Sequence, residues 1–145
     1  MRALIQRVSR ASVDIDGETV GRIDQGLLAL VGVAAEDDRT NADRLLHKLL
    51  HYRVFADGEG RMNCNLQQIE GGLLLVSQFT LVASTDKGLR PSFSSAAPPA
   101  HGQAMFDYLV EQAQTAWPKV ATGRFGADMQ VELINDGPVT FMLET

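Results

Sequence analysis

The sequence has 145 residues, 13 Lys and Arg against 18 Asp and Glu, three His and a single Cys, for a formal net charge of −5. That balance excludes a strongly basic nucleic-acid arm, and 45% hydrophobic residues in a chain of this length suffice for one core without disulfides or a structural metal. Cys64 has no second Cys to pair with, so the composition suits the reducing cytoplasm better than secretion.

In chain order, 2–9 and 12–15 read as extended, with Val13 and Ile15 alternating with polar neighbours before Asp16-Gly17, which supplies the positive φ of a tight hairpin turn. The opening residues interleave Arg with apolar side chains and lack the apolar centre and cleavage site of a signal peptide. A return strand runs through 18–23, and 26–35 is a near-continuous apolar run suited to a strand buried on both faces. Thr40 followed three residues later by Asp43 predicts a helix start. Ala42, Leu45, Leu46, Leu49 and Leu50 then mark one face of a helix ending near Tyr52. Arg53-Val54-Phe55 reads as extended and Asp57-Gly58-Glu59-Gly60 as a turn.

The strongest strand signal spans 71–84, apolar at first and mixed with polar residues later. From 85 to 100 the chain carries Gly88 and prolines at 91, 98 and 99, an irregular stretch long enough for a functional loop. A second helix is expected over 101–115, with Met105, Tyr108, Leu109 and Gln112 on one side and Pro118 forbidding its continuation. Two closing strands, 127–134 and 139–143, alternate well. No segment has the roughly 20 near-continuous apolar residues of a membrane span, and none is expected. No repeat or linker divides the chain, so one domain over 1–145 is expected. Its class is α+β: a mixed or antiparallel sheet curled into a barrel and flanked by two main helices.

Few residues offer chemistry on their own. His47 and His51, four apart on the first helix, have the spacing of a metal pair, but no third ligand accompanies them and a solvated helix face is the better reading. Cys64 has nothing nearby to lower its pKa and reads as a packing thiol. Phosphate loops and nucleophile elbows are absent, so neither metal nor cofactor is expected. Ser77, Gln78 and Thr80 place polar groups at the end of an apolar strand, which either emerges into solvent there or forms a pocket wall. Thr80 is a candidate nucleophile with no local base. Asn135-Asp136-Gly137-Pro138 is either a hairpin turn with Pro opening the last strand or the setting of a cis Gly-Pro bond.

At these two segments the chain resembles the D-aminoacyl-tRNA deacylases, also called D-tyrosyl-tRNA deacylases. The likeness runs through Met1-Arg2-Ala3-Leu4-Ile5-Gln6-Arg7-Val8, Val76-Ser77-Gln78-Phe79-Thr80-Leu81, Lys87-Gly88-Leu89-Arg90-Pro91-Ser92-Phe93, Thr122-Gly123-Arg124-Phe125-Gly126-Ala127-Asp128-Met129 and Asn135-Asp136-Gly137-Pro138-Val139-Thr140. Met62-Asn63-Cys64-Asn65-Leu66 departs from the family's usual wording. The resemblance implies a homodimeric β-barrel that hydrolyses the ester between a D-amino acid, or misattached glycine, and the terminal adenosine of tRNA. It implies that Ser77, Gln78, Phe79 and Thr80 line the ester site, and that Phe125 and Met129 shape the adenosine pocket. Gly137 and Pro138 are then donated across the dimer to exclude L side chains, braced by Arg7. It further implies assistance by the tRNA 2′-hydroxyl instead of a protein nucleophile. A protein gripping only a tRNA terminus needs few phosphate contacts, so Lys87 and Arg90 suffice despite the acidic net charge.

Overall fold

The computed structural model describes every residue, Met1–Thr145. A fourteen-residue strand, β1 (Arg2–Ile15), organises the sheet. One edge of β1 takes two antiparallel partners in succession: β3 (Gly26–Gly32) along its first half and β2 (Glu18–Ile23) along its second. The opposite edge is followed over nearly its whole length by antiparallel β8 (Gln130–Glu144). Beyond β3 the order continues in parallel through β6 (Gly72–Ser77) to β7 (Val120–Thr122), so the sheet is mixed. It curls until β7 abuts β2. At that seam a Cβ on Gly21 would stand 2.5 Å from the Thr122 carbonyl oxygen, so the barrel closes this far only because residue 21 has no side chain.

Alternation assigns the two faces. Ala3, Ile5, Leu27, Ala29, Val31, Leu73 and Leu75 point outward beneath α1 (Arg39–His51) and α2 (Pro99–Ala116). Val8, Val13, Leu28, Leu74 and Val76 fill the inside of the curl. Because β3 and β6 bury both faces, they carry apolar residues almost throughout, as the sequence predicted for the run that forms β3. A short separate ribbon pairs β4 (Phe55–Ala56) with β5 (Met62–Cys64). The half-buried Cys64 packs against the outer core. No helix is long and apolar enough to cross a membrane.

Four sequence expectations need correction. The helix cap is Asp38, not Thr40: its carboxylate accepts from the Thr40 and Asn41 amides, and Asn41 Oδ1 accepts from the Asp38 amide. A carboxylate acceptor two residues earlier outcompetes a hydroxyl. The Asn41 amide, seconded by Thr40, holds the Asp38 carboxyl below its ordinary pKa. Secondly, α2 begins at Pro99, in the first helical turn, where its missing N–H costs nothing. Thirdly, the strand expected to reach 84 ends at Ser77 and gives way to a 3₁₀ turn, Phe79–Val82, which folds over the end of β3. There Gly32 leaves room for Val82 and Leu81. Fourthly, 127–134 and 139–143 are not a hairpin. They are two halves of one strand, β8, both paired to β1.

The chain ends meet beside α1. The buried Met1 ammonium ion-pairs with Asp37, the one buried charged side chain. Asp37 also accepts from the Ala34 amide at 2.7 Å. Met1 and Thr145 exchange backbone hydrogen bonds of 3.0 Å in each direction.

Candidate active site

A cleft of about 470 Å³ opens where β6 runs into the 3₁₀ turn. Ser77, Gln78 and Phe79 form one wall, and Phe125, Gly126, Ala127, Met129 and Val131 the other. Val33, Val76, Ala97, Pro99 and Gly102 complete the lining. The position of Ser77 follows from the parallel register, which sets it opposite Val31, and the Gln78 amide extends that ladder to the Val31 carbonyl at 2.7 Å. The turn then begins, and its first internal bond runs from the Leu81 amide to the Gln78 carbonyl. The amides of Phe79 and Thr80 precede that bond and have no acceptor within the turn.

The sequence-predicted residues divide into two groups. Ser77, Gln78, Phe79, Phe125 and Met129 share the cleft. Thr80 is exposed just outside its lining, with its hydroxyl accepting from the Gln78 side-chain amide. Arg7, Gly137 and Pro138 lie elsewhere, on the β1–β8 ribbon. There the register passes from Gln6 opposite Thr140 to Val8 opposite Asn135, so the four residues 136–139 bulge against Arg7 alone. Gly137 has φ +144, and its peptide bond to Pro138 is cis. The bulge is closed by the Val139 amide donating to Asn135 Oδ1 at 2.8 Å, and by Asn135 Nδ2 donating to Thr140 Oγ1 at 2.8 Å. Arg7 clamps it from beneath: Nε donates to the Asp136 carbonyl at 2.9 Å and Nη1 to the Val54 carbonyl at 2.7 Å.

None of the thirteen cleft residues is ionisable. The three histidines are engaged elsewhere. His47 and His51 stack at 4.3 Å, His51 Nδ1 donates to the His47 carbonyl, and His101 Nε2 donates to the Asp37 carbonyl. No group of three or more His, Cys, Asp or Glu side chains converges in metal-ligating geometry. The cleft therefore offers amide and hydroxyl donors, aromatic faces and apolar walls, and no side-chain base. Sequence reasoning missed Val33, Ala97, Pro99 and Gly102, which reach the cleft from distant segments and carry no chemical signature of their own. A second cavity, of about 480 Å³, is lined among others by Glu36, Asp37, Asp86 and Glu144 and by the Met1 ammonium and Arg2, which pair with Asp37 and Glu144. Glu36 and Asp86 are left without a cationic partner there, so the cavity keeps a net negative lining that disfavours a phosphate-bearing ligand.

The model of the D-Tyr-tRNA(Tyr) deacylase family matches residues 4–144. The chain belongs to this family. A curated D-aminoacyl-tRNA deacylase from Chromohalobacter salexigens is 68% identical over 145 residues, covering all of both chains. Among solved structures, one titled c-Myc DNA Unwinding Element Binding Protein superposes with a TM-score of 0.95 at 36% identity, covering 100% of this chain and 99% of that one. Another, described as a probable eukaryotic D-amino acid tRNA deacylase, shares the fold with a TM-score of 0.86 at 18% identity, covering 99% and 98%. The deacylase fold is thus the mixed barrel with two helices described above.

Proposed function

We propose that this chain hydrolyses the ester of D-aminoacyl-tRNA, acting as a chiral proofreader, with the reaction in the cleft between Ser77-Gln78-Phe79 and Phe125-Met129. Membership of the deacylase family along the whole chain carries the reaction class. The absence of any ionisable side chain from the cleft supports the mechanism. Without an ionisable side chain in the lining, assistance by the neighbouring 2′-hydroxyl of the terminal ribose, which the family resemblance implies, is the mechanism we adopt. The Phe79 and Thr80 amides are donors for the developing oxyanion, where a single preorganised donor is worth about 2.7–4 kcal/mol.

The chiral filter is assigned to the bulge at Gly137 and Pro138, acting in the cleft of a second copy of the chain. Two observations support this arrangement. Neither residue lines its own cleft. Ile134, Phe141 and Met142 stand exposed along the strand that carries the bulge, the consecutive Phe141 and Met142 on opposite faces of it, apolar side chains that a partner would cover. Backbone carbonyls set beside the substrate α-carbon reject an L side chain by overlap and admit a D side chain on the other side. Glycine has no side chain to reject, so glycine misattached to tRNA(Ala) is admitted by the same geometry.

The protein is expected to shorten the lifetime of D-Tyr-tRNA and leave L-Tyr-tRNA intact; equal cleavage of both, or of neither, overturns the proposal. Thr80→Ala is expected to keep kcat within about threefold of wild type, because no acyl group is carried by its hydroxyl and the exposed threonine makes one side-chain bond. Loss of turnover in that variant, measured with D-Tyr-tRNA at saturation, would restore the covalent alternative.

A further inference from the structure

The chain segment between the 3₁₀ turn and α2 forms a projecting loop. Ser84 and Ser92 exchange backbone hydrogen bonds of 2.8 and 2.9 Å, clipping its base, and residues 85–91 extend beyond the clip. The tip carries Leu89 wholly in solvent. At the base, Phe93 is 41% exposed and lies against Phe79, itself 58% exposed, with ring centroids 5.2 Å apart and planes at 45°. Phe79 is also a wall of the cleft, so the aromatic surface continues outward from the candidate active site without a break.

Charge follows the same path. Arg2, Arg7, Arg10 and Arg61 each pair with a carboxylate; Lys87 and Arg90 of the loop, like the chain's seven other Lys and Arg side chains, enter no ion pair. The loop's own carboxylate, Asp86, accepts from Ser84 Oγ at 3.1 Å, which turns it back toward the clip. The loop thus carries an exposed aromatic pair at its base and two cations, Lys87 and Arg90, on the segment beyond the clip. Exposed π faces flanked by cations suit single-stranded nucleic acid, whose bases stack while its phosphates are neutralised.

Resting on the reading of the cleft given above, we infer that this loop is a platform for the single-stranded 3′ end of tRNA: the nucleotide preceding the terminal adenosine stacks on Phe93, and Lys87 and Arg90 neutralise the phosphates there. The proposal separates two sources of recognition, the cleft for the aminoacylated adenosine and the loop for the strand behind it.

Two esters distinguish them, D-Tyr-tRNA and the minimal nucleoside 3′-O-D-tyrosyl-adenosine. Phe93→Ala is expected to lose about tenfold in kcat/KM on the tRNA and nothing on the nucleoside. Phe93→Trp, which keeps a π face, restores activity on the tRNA, and Phe93→Leu does not. Lys87→Ala/Arg90→Ala is expected to flatten the slope of log kcat/KM against log salt on the tRNA by about 1.4, at roughly 0.7 per phosphate contact, with the preference for D over L unchanged. Equal losses on both esters, or none on the tRNA, overturn the platform. A Phe93→Ala protein that sediments as a different oligomer overturns it too, since the shelf would then be covered by a second copy of the chain. Wild-type protein inactive on both esters would instead overturn the assignment of the cleft itself, and the platform with it.

Discussion

Replacing Arg7 with alanine is expected to lower kcat/KM on D-aminoacyl-tRNA about a hundredfold while leaving the circular dichroism of the barrel unchanged. The Arg7 side chain is only 16% exposed and is the link between the bulge and the ribbon beneath it, through the Asp136 and Val54 carbonyls. Hydrogen bonds from a charged donor contribute about 1.5–3 kcal/mol each, and about 2.7 kcal/mol is a hundredfold in rate. The β1–β8 ladder continues on both sides of the bulge, so the loss falls on the geometry of residues 136–138 and not on the sheet. Arg7→Lys is expected to recover only part of the activity, because one ammonium does not reproduce two divergent N–H directions. Co-expression gives the sharper test. A chain carrying Arg7→Ala and a chain carrying Phe125→Ala/Met129→Ala are each expected to be nearly inactive alone. If the bulge serves the partner's cleft, their mixed dimer holds one intact site and regains activity. A mixed dimer as inactive as its parents would return the bulge to its own chain.

Asp37→Ala is expected to destabilise the fold by about 3 kcal/mol, lowering Tm by roughly 10 °C. Removing the carboxylate strands the buried Met1 ammonium and leaves the Ala34 amide without its acceptor. Loss of one partner of a buried pair costs about 3–5 kcal/mol, and the adjoining cavity, which admits water, favours the lower figure. Asp37→Asn keeps an acceptor for Ala34 but not the charge and is expected to fall between the variant and wild type. Thermal and urea unfolding followed by circular dichroism measure both; a Tm within 2 °C of wild type in Asp37→Ala would mean that water replaces the carboxylate at no cost.

What was legible in the sequence is what depends on local pattern. The Asp16-Gly17 turn, the doubly buried run at β3, the strand at β6 and the apolar face of α1 all came through, because period and turn chemistry decide them. The errors cluster where a distant partner decides. Asn135-Asp136-Gly137-Pro138 has the composition of a hairpin turn, yet β1 pairs with the residues on both sides of it and turns it into a bulge. Leu81 and Val82 look like strand continuation. They leave the sheet because Val82 finds burial over Gly32, at the end of β3. The three-residue β7 is too short for any pattern and exists because β6 offers it a free edge. Ser77, Gln78 and Thr80 left open a strand end emerging into solvent or a pocket wall; Ser77 and Gln78 line the cleft, whereas Thr80 stands outside it. Its opposite wall was legible only through family resemblance, since Phe125 and Met129 read locally as ordinary apolar residues.

The insertion in β8 has a consequence for how the protein behaves in a crowded solution. β8 has a neighbour on one side only, so its other side is a row of unpaired backbone donors and acceptors, the kind of edge on which chains polymerise. Residues 136–139 cut that row into 130–135 and 140–144, and Pro138 supplies no donor at the break. Glu132 and Glu144 place a negative charge in each fragment. Straightening β8 by excising the insertion would create a long continuous edge, so the same few residues proposed to judge the substrate also keep one molecule's sheet from growing into the next.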